Sequence, residues 1–231
     1  MKKFGLTGNQ LKILALITMT ADHVGLELLP GVEALRILGR LAFPIYGWMI
    51  AEGCRHTRSP RRYLLRLGGL AVLCQAVYFV AMGSLYQCVL VTFTLSAGLI
   101  FAWARFQRRK TLPAGLAFLG LMVGAVFLSA ILPELLPRGD FAIDYGLWGI
   151  LLPLLVYLGR NTREKLAFLA LALLGLGLEY GGIQWWALGA IPILALYNGQ
   201  RGRKSLGRFF YWYYPAHLVA IYGIHLALLM L

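Results

Sequence analysis

Acidic residues are what this chain has least of: 9 Asp and Glu among 231 residues, against 22 Lys and Arg. Charge of either sign is scarce, at 13% of residues, where a soluble domain carries about 25%. That is too little to clothe a water-soluble globule of this size. The net +13 does not point to nucleic acid either. Basic tails and basic nucleic-acid modules are poor in aliphatic residues, and 60% of this chain is hydrophobic. Cysteine is sparse too. Cys54, Cys74 and Cys88 are odd in number, lack CxxC spacing and fall in different segments, which argues against a disulfide framework and a zinc site. Internal repeats, low-complexity segments, a P-loop and a dinucleotide-binding fingerprint are also missing.

What is present is one apolar run after another. A helical crossing takes about 20 mostly apolar residues. Nine segments read as spans: 11–29, 35–51, 64–82, 85–103, 112–132, 145–158, 166–178, 183–197 and 209–231. The expected fold is an all-α, polytopic integral membrane helical bundle forming a single domain over 1–231. The alternating pattern of a membrane barrel is absent. The first segment carries Asp22, His23 and Glu27 with no small-residue cleavage pattern after it, so it reads as a span rather than a signal peptide.

The basic residues alternate between loops. Lys2, Lys3 and Lys12 precede or open the first span; Arg55, Arg58, Arg61, Arg62 and Arg66 fill the second loop. Arg105, Arg108, Arg109 and Lys110 fill the fourth, Arg160, Arg163 and Lys165 the sixth, and Arg201, Arg203, Lys204 and Arg208 the eighth. Odd-numbered loops hold Arg138 alone. By the positive-inside rule the amino terminus is expected to be cytoplasmic and the carboxyl terminus extracytoplasmic, as for a multi-pass membrane protein. Spans six, seven and eight have only about 14 residues each. Seven and eight together also read as a re-entrant hairpin, which leaves the charge alternation intact.

Ionisable residues inside spans are costly and are functional candidates by default. The set is Asp22, His23, Glu27, Arg36, Arg40, Glu52 and His217, with His225 further out. At 1.5 Å per residue, Asp22 and His23 lie roughly 15 Å above the inner surface, Arg40 roughly 18 Å and His217 roughly 12 Å. Three spans thus bring these four residues to one layer. Asp22 and Arg40 alone could be a structural ion pair between consecutive helices. His23 adds a group that takes and returns a proton near neutral pH. Adjacent helical residues point about 100° apart, so Asp22 is free to face Arg40 while His23 faces a cavity.

Phe43-Pro44 predicts a kink in span two just beyond Arg40. At the inner mouth, Glu52 is expected to pair with an arginine, and His56 reads equally as an interfacial residue. The aromatic run 209–214 reads as a membrane belt, with Tyr213 and Tyr214 one turn before His217. Arg55, Arg58, Arg61, Arg62 and Arg66 exceed what orientation needs. They suit either anionic lipid head groups or a polyanionic ligand gripped by guanidinium forks.

Several of these residues fall in recurring patterns. Leu11-Lys12-Ile13 leading to Asp22-His23, then Leu38-Gly39-Arg40-Leu41-Ala42-Phe43-Pro44, then Ala51-Glu52-Gly53 with His56-Thr57-Arg58, resemble the TraX family. Asp144-Tyr145-Gly146, Leu196-Tyr197-Asn198-Gly199 and Tyr211-Trp212-Tyr213-Tyr214-Pro215-Ala216-His217 extend the resemblance over nearly the whole chain. It departs at Gln75-Ala76-Val77-Tyr78, where a proline is expected. These are conjugal-transfer membrane proteins whose namesake is associated with N-terminal acetylation of pilin. More distantly, the sequence is similar to transmembrane acyltransferases of the heparan-glucosaminide acetyltransferase type, which share an early polar residue followed by a Phe-Pro pair.

The resemblance implies an acetyl-CoA-dependent transmembrane N- or O-acetyltransferase with no metal. His23 is then the general base, with Asp22 orienting it, Arg40 balancing Asp22 or holding the oxyanion, and His217 lining the site or relaying the proton. Arg55, Arg58, Arg61, Arg62 and Arg66, with Glu52, His56, Tyr213 and Tyr214, become cofactor-binding candidates. The implied partners are the lipid bilayer, acetyl-CoA and an extracytoplasmic acceptor, a pilin-like protein or a glycan, and no nucleic acid. The alternative is a proton-coupled transporter or flippase using the same buried Asp22, His23 and Arg40.

Overall fold

The computed structural model describes residues 4–136, 140–202 and 207–230. Of the residues used for orientation, Lys2, Lys3, Arg138, Arg203 and Lys204 lie outside them. Among the described residues every regular element is helical; extended pairing is limited to isolated bridges at Leu6–Tyr197 and Gln87–Ile143. The chain's packing divides into two compact units: Met1–Met49 with Leu169–Leu231, and Ile50–Phe168.

In the first unit, α1 (Gly8–Glu27) starts at a capping box in which Thr7 and Gln10 satisfy each other's amides. The chain entering it is fixed by Leu6 N–H donating to the Leu196 carbonyl and Asn198 N–H to that of Leu6. This gives Leu196-Tyr197-Asn198-Gly199 a structural role. Next, α2 (Glu33–Gly39) returns antiparallel along α1, and α3 (Ala42–His56) follows. The expected single span 35–51 with a kink is therefore two helices broken at Arg40 and Leu41. Pro44 has no N–H to give the Arg40 carbonyl and its ring crowds that carbonyl, so the break falls four residues before the proline.

From Leu169 onward, α9 (Thr162–Tyr180) belongs to this unit and ends at Gly181 and Gly182, both with positive φ. The expected span 183–197 is a 3₁₀ segment, Gly182–Gly189, leading into α10 (Ala190–Ala195). A 3₁₀ helix rises about 2.0 Å per residue, so the two together reach about 25 Å, further than an α-helix of that length. Finally, α11 (Gly207–Leu229) runs parallel to α1: Thr20 meets Tyr213, His23 meets His217 and Glu27 meets His225.

The second unit holds the end of α3, α4 (Pro60–Met82), α5 (Val89–Arg109), α6 (Leu112–Val126), α7 (Leu132–Leu135), α8 (Gly146–Leu158) and the start of α9. Ser59 caps α4 with Pro60 at its first position, and Gly83 closes it at φ 65°. A π turn, Phe127–Ile131, joins α6 to α7 where Pro133 would interrupt the α ladder. The fourth span was expected from residue 85, but α5 starts at Val89. Residues 84–88 instead pair with 140–144: Gln87 N–H donates to the Ala142 carbonyl, and Asp140 accepts from Leu85 N–H and Ser84 Oγ. Asp144 accepts from Tyr86 Oη at 2.8 Å, and its carbonyl from Thr92 Oγ1 at 2.7 Å, so Asp144-Tyr145-Gly146 is also architectural.

Among the described residues, three helical stretches are long and apolar enough to cross a membrane: Pro60–Val80, Val89–Arg109 and Leu112–Leu135. Only 11% of the first and 6% of the third is buried against protein. Leu65, Val72, Val77 and Val80 of α4 and Leu116, Leu119 and Val123 of α6 stand outward, an apolar surface suited to lipid.

Candidate functional site

A cluster of charged side chains in the first unit grows from the close approach of α1 and α2. A Cβ on Gly39 would sit 2.2 Å from Asp22 Oδ1, so only glycine admits the carboxylate there. Asp22 is then held from two sides. Arg40 Nη2 donates to Oδ1 and Oδ2 at 2.5 and 2.6 Å, and Arg36 Nη1 lies 3.0 Å from Oδ2. All three side chains are mostly buried. One carboxylate between two guanidiniums leaves the group with one net positive charge. Arg40 is steadied further by donating its Nε to the Arg36 carbonyl and its Nη1 to Gln184 Oε1 at 3.3 Å.

Gln184 was not singled out from sequence. Its signal is that of a lone amide in an apolar stretch directly after two glycines. The side chain is buried, and guanidinium has no acceptor, so Oε1 must face Arg40 and Nε2 must face away. That Nε2 has no hydrogen-bond partner among the described residues.

His23 points away from Asp22, toward α11. Its Nδ1 is 2.9 Å from the Met19 carbonyl, and His217 Nδ1 is 3.0 Å from the Tyr213 carbonyl. A carbonyl only accepts, so both neutral rings carry their proton on Nδ1. His217 Nε2 is consequently a lone pair, and it lies 3.4 Å from His23 Nδ1, whose N–H it shares with Met19. The rings meet edge to face at 5.0 Å. Tyr213 stacks on His217 at 5.4 Å, and Tyr214 packs edge-on at 5.5 Å. Tyr213 Oη is fixed by Thr20 Oγ1 at 2.7 Å. This bookkeeping leaves His23 Nε2 as the basic nitrogen with no hydrogen-bond partner among the described residues. Asp22, expected to orient the base, makes no hydrogen bond to His23; Met19 and His217 hold the ring instead.

The remaining candidates belong to the second unit. Glu52 was expected to pair with an arginine, but its Oε1 meets Lys165 Nζ at 2.6 Å, because Lys165 on the first turn of α9 reaches it. His56 Nδ1 donates back to the Glu52 carbonyl, with its side chain mostly exposed. Arg55 is committed to the end of α8: Nη2 donates to the Tyr157 carbonyl and, at 3.0 Å, to that of Gly159, with the guanidinium over the Tyr157 ring. Arg66 Nε donates to the Arg62 carbonyl. Arg58, Arg61, Arg62 and Arg66 are exposed around the start of α4, whose amino-terminal amides add to their positive field.

A family model described as TraX protein matches residues 7–225. The chain is 31% identical over 241 aligned residues to a Dichelobacter nodosus protein named probable fimbrial assembly protein FimC, serogroup H1, covering 92% of this chain and 93% of that one. A Rickettsia prowazekii (strain Madrid E) protein described as uncharacterized is 53% identical over 36 residues, 16% of this chain and 14% of its own. No solved structure matches the chain.

Proposed function

The chain belongs to the TraX family, and from that premise we propose that it is a membrane-embedded acyltransferase, moving an acetyl group from cytoplasmic acetyl-CoA to an amine or hydroxyl acceptor. The observation that carries this reading is the placement of His23: its Nδ1 lies against the Met19 carbonyl and His217 Nε2, which in the neutral ring leaves Nε2 as the base. As the acceptor attacks the thioester carbonyl, Nε2 takes its proton; as the tetrahedral adduct collapses, that proton goes to the departing thiolate. His217 Nε2 accepts from Nδ1 and eases positive charge on the His23 ring. The net positive group of Asp22, Arg36 and Arg40 favours the negative charge that develops on the adduct. The fimbrial-assembly name of the Dichelobacter relative supports an acceptor on the extracytoplasmic side, a pilin-like protein or a glycan. The membrane is a bacterial inner membrane, crossed about nine times with the amino terminus inside.

We assign the donor's phosphates to Arg58, Arg61, Arg62 and Arg66, separately from the histidine assignment. Arg55 is left out because its donors already serve Tyr157 and Gly159. The test is calorimetric titration of the purified protein with acetyl-CoA. Wild type and His23→Ala are expected to bind alike. Removing Arg61 and Arg62 together should weaken binding by about tenfold or more, the loss of at least one charge-assisted hydrogen bond. Absence of acetyl-CoA binding by wild type contradicts the enzyme reading and favours proton-coupled transport.

A further inference from the structure

Among the titratable groups of the first unit that the chemistry above does not use, Glu27 on α1 and His225 on α11 meet. His225 Nδ1 donates to the Glu27 carbonyl at 2.7 Å, and Tyr222 Oη donates to Glu27 Oε1 at 3.3 Å. Glu27 follows His23 by four residues, so it lies one turn further on the same face of α1. Two turns past His217, His225 occupies the matching place on α11. The parallel seam therefore carries Thr20 with Tyr213, then His23 with His217, then Glu27 with Tyr222 and His225.

The two acids of α1 differ in one decisive respect. Asp22 is pinned between Arg36 and Arg40. No Lys, Arg or His nitrogen among the described residues forms an ion pair with the Glu27 carboxylate. Its neighbours are His23 on its own helix and Tyr222 and His225 from α11; Arg36 of α2 is taken up by Asp22. A carboxylate on a membrane helix without a cation is costly as an anion, and groups of this kind mark proton routes.

We infer that Glu27, with Tyr222 and His225, relays protons between His23 and the carboxyl-terminal ends of α1 and α11. Its use in catalysis rests on the acyltransferase reading. An amine acceptor enters as ammonium; the C–N bond forms and the thioester C–S bond breaks. Of the three nitrogen protons, one stays on the amide, one goes to the thiol sulfur and one leaves. The leaving proton passes from His23 to Glu27 and out along the seam. Glu27 acts through His23 and touches no substrate.

The test needs no acetyl transfer. In nanodiscs containing ¹⁵N-histidine-labelled protein, the His23 ring N–H is identified by its loss in His23→Gln, and its exchange with water is followed by NMR. Glu27→Gln, which keeps the side chain's size, should slow that exchange by about tenfold or more, and Glu27→Asp should stay close to wild type. The double variant Tyr222→Phe with His225→Gln should slow it as well. Unchanged exchange in Glu27→Gln and in the double variant overturns the relay, even if the protein transfers acetyl groups normally. Slowed exchange in a protein that transfers none leaves the relay standing and removes the acyltransferase reading. Where transfer is measurable, added formate or imidazole should restore the rate lost in Glu27→Gln; a deficit that small acids do not relieve overturns the catalytic use.

Discussion

Gly39 sets how closely α2 can approach the Asp22 carboxylate, so the smallest change at this residue is among the most informative. In Gly39→Ala the new methyl falls within 2.5 Å of Asp22 Cγ and Oδ1, on side-chain atoms that two arginines hold in place. The expected cost is about 1–3 kcal/mol, the range for overpacking, read as a lower thermal midpoint in detergent. Asp22→Asn is expected to be worse, about 3–5 kcal/mol, because it leaves two guanidiniums without their carboxylate. Stability should fall in that variant before any effect on His23, since the two side chains make no hydrogen bond. Helical rise is fixed, so the common depth of Asp22, His23, Arg40 and His217 is legible in the sequence. Which ring nitrogen of His23 meets which partner is not, because the rotation and register of α11 against α1 come from tertiary packing. Gln184 escaped notice for a similar reason: its importance comes from Arg40, 144 positions away.

At the scale of elements, most of the recurring sequence patterns turn out to fasten helices. Arg55 closes α8 through the Tyr157 and Gly159 carbonyls. Arg55→Lys loses the fork that spans both and should cost about 1–3 kcal/mol, while acetyl-CoA affinity stays that of wild type, unlike Arg61 and Arg62 variants. The contact between residues 84–88 and 140–144 is sensitive to acid. Ser84 Oγ and the Leu85 N–H hold the Asp140 carboxyl below the usual aspartate range. A lowered folded value stabilises above the ordinary value near 4 and is lost as pH falls through the lowered one. As pH falls through that lowered value, the Leu85 amide should lose its protection against exchange in wild type. In Asp140→Asn exchange should already be fast at neutral pH, with no acid step. Apolar runs announced the helices of this region, but the start of α5 at Val89 was hidden because the pairing partner, 140–144, lies more than 50 positions away. The break at Arg40 and Leu41 was legible in kind from Pro44 and displaced by one turn, since a proline disturbs the carbonyl four residues earlier.

For the molecule as a whole, the shortage of charge noted at the outset has a physical counterpart. The second unit turns long apolar helices outward, and the first gathers charges and histidines into one seam. α1 and α11 run parallel, and for two parallel spans the expected count of crossings from the first to the last is odd. Nine spans meet that condition, as do seven with a re-entrant hairpin. The central claim is that His23 is the base of an acetyl transfer, and inverted membrane vesicles test it most directly. Labelled acetyl-CoA is supplied to the exposed cytoplasmic face, and acetyl incorporated into vesicle protein and glycan is counted. Vesicles with the wild-type chain should incorporate label, and those with folded His23→Ala should do so at a rate lower by about 10²–10⁴-fold, the usual worth of a general base. Incorporation by His23→Ala at the wild-type rate would contradict the account.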